Sequence, residues 1–335
     1  ELPWRPKDLF TRRDPYLVWI SETMLQQTQV SAVKDVFEKW MRDFPTVEAL
    51  AEASEESVFE HWKGLGYYNR ADNLLRTARL IRDFRNGKFP DSRYDLEAMP
   101  GIGAYTAGAI LSLAFHRPEA ILDGNLIRIF SRLYGWNFLP TDGASAKKSY
   151  WEKAKFWAKA KDAFLTNEAL MELGRTVCKK AHPDCKRCPL QEVCRAFLEN
   201  RQEELPPKRK VRHESWTGFA LVLFDADGNI LLKISPDSPF LKKHLTFPLF
   251  EYADVHRDVF PGIAEKIVPF ENIKRFRFVG SVNHSITRYK ISCRVLCAEV
   301  KTRKGIDGEW IPRGIVSRKI VSSLGQKILA QANDF

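Results

Sequence analysis

The sequence predicts a multidomain chain, an all-α domain followed by a smaller α+β domain. Three observations carry this prediction. Apolar residues recur with helical spacing from Asp14 to about Arg195. A stretch with two prolines and a basic run, and no period, then interrupts the pattern. Beyond it the apolar residues gather in short runs bounded by turn residues, as strands do. The chain has 335 residues and 44% hydrophobic content, enough for two or three compact units with real cores.

The elements follow in order. Val33, Val36, Phe37 and Trp40 stand at i, i+3, i+4 and i+7, one face of a helix. Leu74, Leu75, Ala78 and Ile81 share another face, and Leu126, Ile127, Ile129, Phe130 and Leu133 form a third stripe. Phe44-Pro45, Gly64-Leu65-Gly66, Phe89-Pro90 and Leu139-Pro140 punctuate these runs. The helical domain is placed at 1–203, the linker at 204–213 and the second domain at 214–335. In the second domain, Phe219 to Phe224 reads as a strand, Asp225-Ala226-Asp227-Gly228 as a turn, and Ile230-Leu231-Leu232 as the return. Later strands are expected at Phe276–Val282 and Tyr289–Val300, and a last helix at Arg318–Asn333.

Composition excludes several classes. Nine Trp and 22 Phe argue against disorder. No run of about 18 apolar residues exists, so no membrane-spanning helix is expected. The opening Glu1-Leu2-Pro3-Trp4-Arg5 does not read as a signal peptide, and the lack of an initial Met leaves room for residues before it. A net charge of +11 suits a polyanionic partner, because neutralising phosphates releases counterions. Charge alone leaves a merely basic protein as an equal alternative. Of the six cysteines, Cys293 and Cys297 fall on the apolar face of a strand with Ile291 and Val295 and read as buried. A chain of this size is no disulfide scaffold, and a reducing cytoplasm is expected.

The other four, Cys178, Cys185, Cys188 and Cys194, lie in one short loop with gaps of six, two and five residues. Four thiolates can hold zinc or an iron–sulfur cluster. Zinc modules usually pair two C-x2-C knuckles, and that spacing occurs once here, which favours iron–sulfur without excluding zinc. Upstream, Leu96 to Met99 ends one helix, Pro100 to Gly103 turns, and Tyr105 to Leu113 begins the next. The glycines let backbone amides approach a phosphate, although a lone Gly-x-Gly is more often an ordinary turn. Asp123 precedes a helical stripe, where an isolated Asp is usually an N-cap. The sharper reading is a catalytic carboxylate that stabilises developing positive charge. Glu22 lies in the uncharged run Val18 to Thr28, where burial would raise its pKa and make it a general acid. An exposed helical Glu is the plainer alternative.

The cysteine spacing, the hairpin and Asp123 together resemble the endonuclease III, or helix-hairpin-helix, superfamily of DNA glycosylases. The resemblance implies a [4Fe-4S] cluster on Cys178, Cys185, Cys188 and Cys194. It also implies a hairpin that binds DNA backbone without reading sequence. Bifunctional members carry a nucleophilic Lys just after the hairpin, where this chain has Tyr105. A phenol is a poor nucleophile near neutral pH, so a monofunctional enzyme using water is expected.

Within the superfamily, several further pieces resemble the adenine-excising family over roughly residues 2–200. They are Leu2-Pro3-Trp4-Arg5, Arg13-Asp14-Pro15-Tyr16, Ser21 to Thr28, Gly64-Leu65-Gly66-Tyr67-Tyr68 and Asp123-Gly124-Asn125. This implies a six-helix module at about 22–128 and an iron–sulfur module at 1–21 and 129–200. The implied activity is base-excision repair, in which adenine mispaired with 8-oxoguanine or guanine is flipped from duplex DNA and hydrolysed off. Glu22 would protonate adenine N7 and Asp123 would stabilise the oxocarbenium-like state. Tyr105 and Asn125 would orient these groups, and Arg13 would lie near the flipped base. Gln27 and Tyr67 would wedge into the base stack with Leu65 beside them, and Thr28, Gly66, Gly101 and Gly103 would contact DNA. The expected partner is double-stranded DNA with an adenine:8-oxoguanine mispair, met by a monomer in a bacterial cytoplasm, at the nucleoid. The second domain resembles a MutT-like (Nudix-like) lesion-recognition domain. It lacks the nucleotide-hydrolase signature, so no pyrophosphatase activity is expected. Its DNA-probing loop is expected at His284 to Arg288, with Thr287 and Arg288 as contacts.

Overall fold

The computed structural model describes residues 2–5, 8, 10–160, 162–208, 213–234, 238–241, 245–251, 260–286, 288–320 and 322–335. The chain divides into two compact units between residues 209 and 210.

The first unit is helical. Helix α1 (Pro15–Leu25) starts where the Asp14 side chain accepts the Tyr16 amide at 2.8 Å and Pro15 pre-sets the first turn. It is apolar nearly all round, and Tyr16 and Val18 to Met24 are buried, so it forms the spine of the unit. Around it stand α2 (Val30–Asp43), α3 (Val47–Glu52), α4 (Glu55–His61) and α5 (Asn69–Arg85). Val33, Phe37 and Trp40 of α2 point inward, as their spacing requires. Asn86, in the left-handed region, ends α5. Next come α6 (Arg93–Glu97) and α7 (Ala104–Leu113), joined by the glycine-bearing turn. Helix α8 (Gly124–Tyr134) begins at Asp123 and ends at Gly135 in the left-handed region. Then follow α9 (Ala144–Trp157), α10 (Ala163–Thr176) and the short α11 (Arg195–Leu198) after the cysteine loop. Trp19, Trp40, Trp62, Phe130 and Tyr150 are fully buried and anchor this core.

The second unit is a mixed sheet with helices. Its strands are β1 (Glu214–Phe224), β2 (Ile230–Ile234), β3 (Leu245–Thr246), β4 (Leu249–Glu251), β5 (Ile273–Ile286), β6 (Tyr289–Val300) and β7 (Glu309–Ile311). The order is β3-β2-β1-β6-β5, with β4 pairing β1 and β7 pairing β2. Among the described residues, only β1 and β6 pair in parallel. Both faces of β1 are buried. Trp216, Ala220 and Val222 pack toward α12 (Arg313–Lys319) and α13 (Ser323–Gln331), while Phe219, Leu221 and Leu223 meet Phe260, Ala264 and Val268.

Two expectations need correction. The last helix is two helices, because Ser322 caps a new start by accepting the Gly325 amide. The strand expected at 276–282 runs from Ile273 to Ile286, since β6 offers pairing partners along that whole length. Cys293 and Cys297 lie buried on one face of β6, as read.

Candidate active site

Five segments of the first unit enclose a cavity of about 700 Å³. The segment before α1 contributes Arg5 and Arg13, and α1 with its following turn contributes Glu22, Gln27 and Thr28. The hairpin contributes Gly101, Gly103 and Tyr105; the start of α8 contributes Asp123 and Asn125; and α10 contributes Glu168 and Glu172. Residues more than 100 positions apart thus share one wall.

Glu22 is 4% exposed. The Tyr105 hydroxyl donates to its Oε2 at 2.5 Å. Desolvation dominates and pushes the Glu22 carboxyl up to about 7, with the nearby Asp123 and Glu168 adding to the rise. The Tyr105 bond and the Arg13 charge oppose it. Burial also raises the Tyr105 phenol well above its ordinary value, so it stays a donor.

Asp123 is an N-cap, and its second carboxylate oxygen is held on the cavity wall. Its Oδ1 accepts the Leu126 amide at 2.8 Å and caps α8, while Oδ2 accepts the Asn125 side-chain amide at 2.9 Å. Burial raises its pKa, and the Leu126 and Asn125 bonds and the Arg128 charge pull against that. These partners all favour the carboxylate. Asn125 is held in turn, because Arg128 Nη2 donates to its Oδ1 at 2.8 Å and to the Gly174 carbonyl at 2.8 Å. Arg128 Nε reaches the Cys178 carbonyl at 2.7 Å.

Sequence reasoning missed Glu168. It is buried in α10, ion-paired to Arg5 at 2.6 Å and hydrogen-bonded to Arg13. It thereby fixes Arg13 on the wall beside Glu22. The signal that singled out Glu22, an acid inside an apolar helical run, is also present around Glu168.

The other expected contacts sort by position. Gln27 is exposed at φ 56° and Tyr67 is 58% exposed at φ 48°. Left-handed backbone is strained for such side chains and holds each at the tip of its turn. Leu65 is only 5% exposed, so its side chain packs inward and does not reach out beside them. Gly66, at φ 68°, has open space around its Cα. At Gly101, φ is 77° and an added Cβ would lie 2.7 Å from Asn73 Cβ, so glycine is required there. At Gly103 no protein atom lies within 4 Å of an added Cβ, which leaves the start of α7 open to a ligand. Thr287 lies outside the described residues. Arg288, in the second unit, pairs with Glu214 at 3.2 Å and donates to the Tyr289 hydroxyl at 3.1 Å.

The four loop cysteines are free and partly buried. Burial, then the neighbouring Cys178 and Cys194, raises the Cys185 thiol, while Arg132 lowers it. Arg132 is 3% exposed and donates to Cys178 Sγ at 3.3 Å and to the Lys179 carbonyl at 2.7 Å. Among the described residues, no three His, Cys, Asp or Glu side chains are grouped to hold a single metal ion. None of their helices is long and apolar enough to cross a membrane.

Comparison with known proteins fits this geometry. Residues 20–159 match the model of the HhH-GPD superfamily base excision DNA repair protein. The adenine DNA glycosylase of Buchnera aphidicola subsp. Baizongia pistaciae is 34% identical over 250 residues, covering 74% of this chain and 69% of that protein. This chain belongs to the adenine DNA glycosylase family. That family consists of hydrolases acting on N-glycosyl bonds. The human adenine DNA glycosylase is 38% identical over 209 residues, 61% of this chain and 38% of that protein. A solved thermostable thymine-DNA glycosylase shares the fold with a TM-score of 0.53 and 27% identity, covering 59% of this chain and 89% of its own.

Proposed function

We propose that this glycosylase removes adenine mispaired with 8-oxoguanine or guanine in duplex DNA, with Glu22 as general acid and Asp123 as the stabilising carboxylate. One observation carries the reading. Two carboxyls share a cavity: burial pushes Glu22 up to about 7 and raises Asp123 as well, but at Asp123 the Leu126 and Asn125 donors and the Arg128 charge pull toward the carboxylate. A carboxyl without such donors beside one that has them suits a division into acid and anion.

Protonated Glu22 gives its proton to adenine N7. The C1′–N9 bond then breaks, and its electron pair leaves with the neutral base. Positive charge builds on C1′ and the ring oxygen, and the Asp123 carboxylate stabilises it. Water attacks C1′ and gives its proton to the Glu22 carboxylate, which restores the acid and leaves an abasic site. Tyr105 keeps Glu22 in place and Asn125 keeps Asp123 in place. Arg13, fixed by Glu168, would lie against the flipped base. Gln27 and Tyr67, with Thr28 and Gly66 nearby, would offset the few kcal/mol that flipping costs. The hairpin at Gly101 and Gly103 would hold backbone phosphate.

Cys178, Cys185, Cys188 and Cys194 would hold the [4Fe-4S] cluster. The donor set fits: four partly buried, free thiols lie in one loop, and burial, then the neighbouring cysteines, raises the Cys185 and Cys188 thiols, which a bound cationic centre would relieve. The cluster would brace its loop and supply no step of hydrolysis. The second unit would act as the MutT-like lesion reader. Its mixed sheet supports this, with Arg288, just before β6, as a candidate contact, and Thr287 is proposed as a second on the sequence alone.

The test is incubation of the full chain with a duplex holding one adenine:8-oxoguanine pair, then hot alkali. Cleavage at the adenine is expected, and its absence refutes the activity. A guanine:adenine duplex run alongside measures the preference. Borohydride trapping on DNA would instead indicate a Schiff-base lyase.

A further inference from the structure

Arg70, in the first turn of α5, is a partly buried cation that the mechanism above does not use. Its Nη1 donates to the carbonyls of Thr23, Met24 and Gln26 at 2.8, 3.1 and 2.7 Å. Its Nη2 donates to Thr28 Oγ1 at 3.2 Å and to the Leu65 and Gly66 carbonyls at 2.8 and 3.1 Å. The guanidinium lies 5.1 Å from the Trp62 ring centroid and 5.6 Å from that of Tyr67. Its Nε is buried without a partner, so the fold leaves one donor unmet to keep this placement.

The acceptors belong to three pieces of chain. Thr23 and Met24 directly follow Glu22 on α1, a helix with no basic residue of its own in the last turn. Gln26 and Thr28 flank Gln27, and Leu65 and Gly66 precede Tyr67. We infer that Arg70 is a positioning residue that holds the turn bearing Gln27 and the turn bearing Tyr67 as one unit, fixed to the helix that carries Glu22. The inference rests on the proposed wedge role of Gln27 and Tyr67. The planar guanidinium fork suits the task, since Nη1 serves the end of α1 and Gln26 while Nη2 bridges Thr28 to Leu65 and Gly66. A lysine ammonium is a point charge and cannot span both. Both side chains sit at left-handed backbone positions, which persist only where their surroundings hold them.

The experiment compares Arg70→Lys, Tyr67→Ala and the double variant. Single-turnover base loss is measured on two duplexes, with the same adenine opposite 8-oxoguanine or opposite an abasic analogue. The second adenine has no pairing to break, so wedging matters less to it. Arg70→Lys is expected to lose about 10- to 100-fold on the mispair and less than about threefold on the other duplex. The double variant should lose little beyond Tyr67→Ala alone, since both act through one element. Equal loss on the two duplexes, or losses that multiply in full, overturns the inference. If Tyr67→Ala shows no preference between duplexes, the wedge reading falls and takes the inference with it. If Tyr67→Ala is selective and Arg70→Lys is not, the inference alone falls. Should Arg70→Lys fail to fold, Thr28→Val removes one Arg70 acceptor and the Thr28–Leu65 bond. It must then show the same selectivity at smaller size, and equal rates would overturn the inference.

Discussion

Replacing Glu22 by glutamine should stabilise the protein while suppressing its chemistry, and the stabilisation should grow as pH rises from 4.5 and be fully expressed above about pH 7. The Glu22 carboxyl is raised from 4.5 to about 7, which amounts to about 3 kcal/mol against the charged form. Between these values the folded chain holds a proton that the unfolded chain has released, so stability falls as pH rises through that window. The deficit is complete above about pH 7 and well under about 1 kcal/mol at pH 4.5. Glutamine is neutral throughout and keeps an oxygen for the Tyr105 hydroxyl. Thermal unfolding of the full chain should therefore show Glu22→Gln matching wild type near pH 4.5. Near pH 8 it should exceed wild type by roughly 6–12 °C, at 2–4 °C per kcal/mol for a unit of this size. Base loss should drop by about 10² to 10⁴, the usual worth of a general acid. Wild-type kcat/KM should fall about tenfold per pH unit above 7, and the residual activity of the variant should lack that limb. A Tm difference that is the same at both pH values refutes the burial argument. Base loss within about threefold of wild type refutes the acid role.

Tyr105→Phe removes the bond that holds the Glu22 pKa down, so the alkaline limb of the pH–rate profile should move to higher pH; an unmoved limb contradicts the assignment. Gly103→Ala meets no protein atom and should leave Tm unchanged while weakening binding about tenfold to duplexes of any sequence, as read by anisotropy. Gly101→Ala is strained and clashes with Asn73, and calorimetry should show a loss of about 1–3 kcal/mol. Cys194→Ser should lower visible absorbance, iron content and DNA affinity first, with the single-turnover rate at saturating enzyme falling only as folding fails.

Much of the fold was legible because its signals are local. Helix periods, the Asp123 cap, the glycine turn and the strand carrying Cys293 and Cys297 each depend on residues a few positions apart. The split of the last helix was less legible, because a capping Ser inside a continuous apolar pattern is a weak signal. The extent of β5 depended on its partner β6, which lies on the far side of a turn. At the site, residue types were legible and their states were not. The cysteine spacing, Tyr105 in place of a lysine and an acid in an apolar run could all be read along the chain.

What the sequence alone determined is the kind of protein, two units with a cysteine loop, a hairpin and two candidate carboxyls. The tertiary structure decided that Glu22 and Asp123 share one cavity, that Glu168 fixes Arg13 there, and that Arg70 joins two turns to α1. The reason is physical. Periodicity and capping arise from bonds within a few residues, whereas desolvation and charge pairing depend on which distant side chains exclude water from a group.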